Sequence, residues 1–289
     1  MNDHLVRAIS TQANVRALAC VSTETVHTVC QRQETWPTAS VALGRALTGG
    51  VLLGALLKGQ QRVALKFEGP GPLKKILVEA NAQCQVHGSV GNPHVDVPRC
   101  NGRFDVPGAL GRAGLLTVTK DLGLKTPYQG VVHLISSEIA EDIAYYLTDS
   151  EQTPSAMGLT TLVDQNSSVA LAGGFLIQAL PGPATTSLDM LMERIQTLPS
   201  LSEFLPHGAG AVLAYIFGEI EYEILGRQPV YFHCSCSRDR IEQGLVTLGV
   251  ETIAELASQS EKIMVSCEFC KEHYVFTPEE LHRLATECH

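Results

Sequence analysis

The sequence predicts an α+β protein: an N-terminal sheet-and-helix domain, a helical linker and a small C-terminal metal-binding domain. Three observations carry that expectation. Short apolar runs of period two fill the chain up to a break at Pro181-Gly182-Pro183. Helical apolar stripes follow the break. A Cys-x-Cys and a Cys-x-x-Cys, separated by 30 residues, then stand near the C-terminus.

The strands come first. "HLVRAIS", "NVRALACVS", "RVALKFEG", "LKKILVEAN" and "CQVHGSV" each read as a strand, with Gly-Pro-Gly-Pro at 69–72 and Gly-Asn-Pro at 91–93 as turns. "LLTVTKD" and "YQGVVHLI" extend the sheet, and "SEIAEDIAYYL" predicts a helix with Ile139, Ile143 and Tyr146 on one face. The longest apolar run, 41–57, contains Arg45 and the glycines Gly44, Gly49, Gly50 and Gly54. It falls short of the about 20 apolar residues that span a bilayer, so a buried helix is expected.

Past the break, "TSLDMLMERIQTL" puts Leu188, Leu191, Met192 and Ile195 on one stripe, and "AGAVLAYIFGEI" is apolar but short. The expected organisation is a domain over 1–183, a helical linker over 184–230 and a small domain over 231–289. The linker's apolar faces need a surface to rest on, and the N-terminal sheet is the natural one. In the tail, "RIEQGLVTLG" places Ile241, Leu245 and Leu248 at helical spacing before Gly249, and "VETIAELA" gives a second short helix. "KIMVSCEFCKEHYVFT" reads as strand, knuckle, strand. Thr277, Pro278 and Glu280 then supply an N-cap, a first-turn proline and a capping-box carboxylate.

Charge narrows the function. The net charge is −9, and 230–289 holds five Lys/Arg against ten Asp/Glu. Such a chain lacks the basic face that neutralises phosphates, so no nucleic-acid partner is expected. The start "MNDHLVRAIS" has no apolar signal region, which predicts a cytoplasmic protein without a membrane partner. Nine cysteines without a signal peptide point to metal or redox chemistry in place of a disulfide framework. No nucleophile–base constellation stands out, so no enzyme is expected.

Cys234, Cys236, Cys267 and Cys270 match a tetrahedral zinc site, whose sulfurs lie about 3.8 Å apart around Zn–S bonds of about 2.3 Å. A closed all-thiolate site leaves no open position for metal hydrolysis, and a tail this small needs a staple. Spacing alone fits a passive structural zinc as well as a redox role. A thioredoxin-like reading fails because strand-like "EHYVF" follows Cys270 where a helix should open. An iron–sulfur cluster ordinarily uses other spacings. His233 and His273 flank the pairs as outer-shell or exposed groups. Cys20, Cys30, Cys84 and Cys100 read as small core residues, and Cys288 as a free thiol.

"HCSCS" followed by "CEFC" resembles the heat-shock-protein-33 family, also called the 33 kDa chaperonin family. The likeness extends to "GPGPLKKILVEANAQCQVHGSVGNP", "LLTVTKDLGLKTPYQG", "SEIAEDIAYYLTDSEQTPSA" and "GGFLIQALPG". Two departures stand out: Ser137 where a glycine is expected before Glu138, and Cys84 at a turn that more commonly carries glycine. The resemblance implies a redox-regulated, ATP-independent holdase that forms a homodimer and binds unfolded client proteins. It implies one Zn²⁺ on Cys234, Cys236, Cys267 and Cys270 in a reduced, inactive state. Oxidation would pair Cys234–Cys236 and Cys267–Cys270, release zinc and unfold tail and linker. A static zinc ribbon of a nucleic-acid or translation factor is the alternative reading.

Overall fold

The computed structural model describes residues 2–183, 186–259 and 262–286, so Cys288 and the first two linker residues lie outside the described residues. The chain forms two compact units, Met1–His233 and Cys234–His289.

In the first unit, β1 (His4–Ser10) and β2 (Val15–Val21) form a hairpin, followed by α1 (Thr23–Gln33) and α2 (Pro37–Gly54). Then come β3 (Arg62–Glu68), β4 (Lys75–Asn81), β5 (Gln85–Val90), α3 (Val106–Leu110), β6 (Leu115–Asp121) and β7 (Tyr128–His133). α4 (Ala140–Asp149) leads to β8 (Ser155–Val163) and β9 (Val169–Ala179). The former linker segment contributes α5 (Thr186–Gln196), short 3-10 turns at Leu201–Glu203 and Leu205–His207, α6 (Ala209–Phe217) and β10 (Glu223–Pro229). β11 (Tyr231–Phe232) closes the unit.

Two sheets result. The first has the order β10-β1-β2-β9-β8 and is antiparallel throughout; the second runs β11-β5-β4-β3-β6-β7, with β11 parallel to β5. α2 packs against strands of both sheets. Every residue of α2 except Pro37 and Arg45 is buried, as expected for the 41–57 run, and no helix among the described residues is long and apolar enough to cross a membrane. Its glycines permit that approach: a Cβ on Gly50 would stand 2.6 Å from the Val78 side chain.

The linker segment does rest on the first sheet. Val6, Ala8, Val15, Ala17, Ala19, Phe175 and Ile177 form one apolar cluster with Leu191, Leu205, Val212, Leu213, Ile216 and Phe217. One stripe residue departs from expectation: Met192 is exposed, whereas Leu191 is fully buried. Successive helical residues turn by about 100°, which carries Met192 onto the rim of the face centred on Leu191 and Ile195. The segment is also not helical to its end, since β10 adds an edge strand to β1. Through β10 and β11, residues up to His233 join the first unit.

Cys84 and Ser137 both take left-handed backbone conformations, φ 57° and φ 63°. That is the region where glycine is favoured, and it accounts for both departures noted in the sequence. At the second, the Asp142 carboxylate collects the backbone N–H groups of Ile135, Ser136, Ser137 and Ile139, and Ser137 Oγ donates to Gly111 O at 2.7 Å.

The second unit contains α7 (Arg238–Val246), α8 (Val250–Gln259), the hairpin β12 (Ile263–Ser266) and β13 (His273–Phe276), and α9 (Pro278–Thr286). The capping box forms as the sequence predicts: Thr277 N donates to Glu280 at 2.9 Å and Glu280 N to Thr277 Oγ1 at 3.4 Å. Leu248 falls beyond the end of α7 and is exposed, so Ile241 and Leu245 alone carry that stripe inward.

Candidate metal centre

Cys267 follows directly on β12 and Cys270 sits in the turn before β13. Cys267 N donates to Glu272 O at 2.9 Å and Lys271 N to Cys267 O at 3.0 Å, with Lys271 at φ 59°. Those bonds curl the backbone so that both buried thiols face inward. Cys234 and Cys236 lie on the extended segment before α7. Residues two apart on an extended chain face the same side, so exposed Ser235 points away while both thiols are half-buried. Arg240 holds Ser235 outward, donating to its carbonyl at 3.1 Å and its hydroxyl at 2.5 Å. Ser237 caps α7 by accepting from Arg240 N.

The four sulfurs all lie within 4.8 Å of one another. Cys234 Sγ stands 3.8 Å from Cys267 Sγ, and Cys236 Sγ stands 3.2 Å from Cys270 Sγ. The 3.8 Å separation equals that of two sulfurs on one tetrahedral zinc, about 3.8 Å. Four soft thiols from two segments, with nothing else in the set, fit a thiophilic metal ion.

The electrostatics agree. Burial, and then the neighbouring thiols, push Cys234 well above the ordinary thiol range and Cys270 up to about 11. At Cys236 burial acts the same way, but hydrogen bonds from Tyr274 and the other cysteines outweigh it and lower its pKa. The Tyr274 hydroxyl donates to Cys236 Sγ at 3.2 Å. Four thiolates this close repel one another, and a bound cation supplies the compensating charge.

Arg238, two residues beyond Cys236, braces the surroundings. It donates to Glu242 at 3.1 Å, Glu280 at 2.8 Å and the Val275 carbonyl at 3.0 Å, and its guanidinium lies 4.4 Å from the Phe276 ring centre. The apolar core below it is small: Leu245, Ile253, Ala257, Phe276, Leu281, Leu284 and Ala285.

The four predicted ligands therefore meet at one place. His273 is exposed and pairs with Ser266 at 2.7 Å, while exposed His233 donates its backbone N–H to Val86 O. Cys20, Cys30 and Cys84 are buried as expected, and burial pushes the last two up to about 11, which keeps them protonated and inert. Cys100 departs from the core reading: it is exposed. Sequence reasoning missed Arg238 and Tyr274. The Arg238–Glu242 spacing of four was a readable signal, but Glu280 and Tyr274 arrive only through the fold.

Fold and thiol cluster together define a class: α+β proteins in which a two-sheet unit is followed by a compact tail built around four cysteines. The chain matches the family described as Hsp33 protein over residues 3–277. It is 56% identical over 286 residues to the 33 kDa chaperonin of Geobacter sulfurreducens, covering 98% of this chain and 95% of that one. It is 51% identical to the 33 kDa chaperonin of Citrifermentans bemidjiense, covering 99% and 98%. Among solved structures, the 33 kDa chaperonin (heat shock protein 33 homolog) of Thermotoga maritima superposes with a TM-score of 0.91 at 34% identity, covering 99% of each chain. The chain belongs to the Hsp33 family, and it is a chaperone.

Proposed function

We propose that the protein is a redox-regulated, ATP-independent holdase, inactive while Cys234, Cys236, Cys267 and Cys270 are reduced and hold one Zn²⁺, and active once they are oxidised. The observation that carries this reading is that four convergent thiols join two segments of a tail whose apolar core, among the described residues, has seven buried members. When bound, zinc supplies the charge that keeps four thiolates together and a folding free energy of about 10–16 kcal/mol in comparable small folds.

Oxidation by peroxide proceeds at sulfur. One thiol attacks the O–O bond, becoming a sulfenic acid and releasing water; its neighbour displaces a second water and forms the S–S bond. Two peroxides thus yield Cys234–Cys236 and Cys267–Cys270. Neither disulfide spans the 30 residues between the pairs, so no ligand and no cross-link remains. The choice of partners decides the outcome, because the alternative pairs Cys234–Cys267 and Cys236–Cys270 would keep the tail stapled. With the tail unfolded, the unfolding spreads into the linker and its helices leave the first sheet. Apolar faces on both sides are then available to unfolded client proteins. The protein acts by binding and not by catalysis, as a cytoplasmic homodimer without nucleic-acid or membrane partners.

The test joins three readouts on one sample: light scattering of a heat-unfolding client, zinc release, and disulfide mapping by mass spectrometry. Suppression of aggregation only after peroxide, with about one zinc released per chain and sequence-adjacent disulfides, is expected. Equal activity in both states, or cross-segment disulfides in the active form, would overturn the switch and leave zinc a passive staple. Salt-dependent RNA binding would favour the zinc-ribbon alternative.

A further inference from the structure

A cavity of about 530 Å³ opens in the first unit beside the C-terminal end of α2, within the range of about 300–1,000 Å³ common to small-molecule sites. Two arginines that interrupt an apolar sheet face shape it. Leu5 of β1 and Leu18 of β2 join the core between the sheets, and Arg7 and Arg16 stand two residues along from them on that same face. The register pairs Arg7 with Leu18 and Ile9 with Arg16, so the arginines are diagonal neighbours, about 7–8 Å apart at their backbones. Arg7 Nη2 donates to Ala55 O at the end of α2 at 2.9 Å, and Arg16 Nε donates to Gln178 Oε1 at 2.9 Å. A guanidinium carries about five N–H donors, so each arginine keeps donors to spare.

Exposed Lys58 adds a third cation, and none of the residues lining the cavity is Asp or Glu. Among the described residues, no carboxylate lies within ion-pair distance of these three cations. Burial lowers the Arg16 pKa; Glu151 opposes that shift from further off, but its own ion-pair partner is Lys120. A guanidinium that has lost water without gaining a carboxylate favours an incoming anion. The rest of the wall is apolar, with buried Leu18 and half-buried Leu57. On β10, Gly226 pairs with Arg7 and Ile224 with Ala8, which leaves Leu225 as the extra residue of a bulge. A bulge re-aims its side chain, and this one sets Leu225 into the cavity wall while leaving it 59% exposed.

We propose that this cavity binds a small amphiphilic anion, with its carboxylate or phosphate head between Arg7 and Arg16 and its hydrocarbon body along Leu18, Leu57 and Leu225. Guanidinium forks at this spacing suit a head with several oxygens, which each fork grips through paired N–H bonds. Lys58 supplies a point charge on the exposed side. The hydrocarbon body takes the place of water against the leucines. Head and body are separate requirements, and neither a bare anion nor a neutral chain meets both. The cavity lies wholly in the first unit and contains no cysteine, so its test is independent of the thiol switch.

Isothermal titration calorimetry of the reduced full chain tests the site with two probes, octanoate and octyl phosphate, beside acetate, inorganic phosphate and octanol. Saturable binding of at least one amphiphilic probe is expected, with one molecule bound per chain, and the tighter of the two identifies the head as carboxylate or phosphate. Arg16→Gln removes a charge-assisted contact and should raise the Kd at least about tenfold. Leu225→Glu places a carboxylate in the cavity from an exposed position. It should abolish binding while melting as wild type does, and it carries the test if Arg16→Gln fails to fold. Absence of saturable binding for both amphiphilic probes, or unchanged binding by Leu225→Glu, would overturn the site. Octanol bound as tightly as octanoate would refute the anionic head. Acetate or inorganic phosphate bound as tightly as its octyl counterpart would refute the apolar body.

Discussion

Leu213→Ala isolates the docking of the linker from the chemistry of the cysteines. Leu213 is fully buried on α6, in the apolar cluster that joins that helix to β1 and β2. Truncating a leucine at such a site costs about 3–5 kcal/mol, the transfer term plus the cavity left behind. Since about 1.4 kcal/mol is a factor of ten, the ratio of docked to undocked linker falls by roughly a hundredfold to several thousandfold. The four clustered cysteines are untouched. The assay is aggregation of a heat-unfolding client with the reduced, zinc-loaded protein, run beside binding of a dye that reports exposed apolar surface. Leu213→Ala is expected to bind dye and suppress aggregation without any oxidant. Met192→Ala, on the exposed rim of the neighbouring helix, is expected to behave as wild type. A reduced Leu213→Ala protein that binds dye strongly and protects no client would refute the reasoning, because exposing these faces would then not create a client site.

Two further outcomes follow from local geometry. Arg238→Lys keeps the charge but cannot reach Glu242, Glu280 and the Val275 carbonyl together, so the tail should release zinc at a lower peroxide concentration than wild type; coincident zinc-release curves would show that the brace does not matter. At Ser137, glycine relieves a left-handed conformation worth about 1–2 kcal/mol and loses one hydrogen bond worth about 1 kcal/mol. Urea unfolding of Ser137→Gly should therefore agree with wild type to within about 1 kcal/mol. Ser137→Val, which loses the bond and adds a branched Cβ at positive φ, should cost more than about 2 kcal/mol. Equal effects of glycine and valine would mean that the backbone conformation is not what constrains this position.

Where the sequence was legible, one physical signal dominated. In the second sheet only one face meets the core, so β3 and β4 alternate strictly between buried and half-buried positions and their period of two is plain. β9 escaped such a reading because both its faces are covered: Ala172 and Leu176 join the core between the sheets, while Phe175 and Ile177 join the linker cluster. Burial on both sides erases alternation. α1 exposes a polar face with only Val26, Val29 and Cys30 as an apolar stripe, too short a signal beside the strand that precedes it. β10, "EILGRQP", has no pattern of its own and exists because β1 offers it an edge. At the candidate metal centre the four cysteines that converge were legible because spacing is part of thiol–metal chemistry. The groups that hold them, Arg238 and Tyr274, act on partners up to 42 residues away, and no local pattern encodes that meeting.

The strand pair β10 and β11 has a kinetic consequence. Val230 alone separates them, yet β10 is the edge of the first sheet and β11 the edge of the second, and His233 is the last residue before the cysteines begin. Once the tail is molten, this segment becomes a frayed end, and a frayed end peels one pair at a time because no bond further in feels the release until the outer ones have gone. The bonds of His233 to Val86 and Tyr231 to Cys84 go first, then Val230 from Asp3, then the Pro229–Glu223 ladder. Only after that last ladder opens is α6 left without the strand that follows it. Under the proposed switch this segment would act as a delay line: a brief oxidation reversed early would cost only β11, while a sustained one would travel inward until the linker helices are free. Amide exchange reads the order directly, with His233 and Tyr231 losing protection before Arg227.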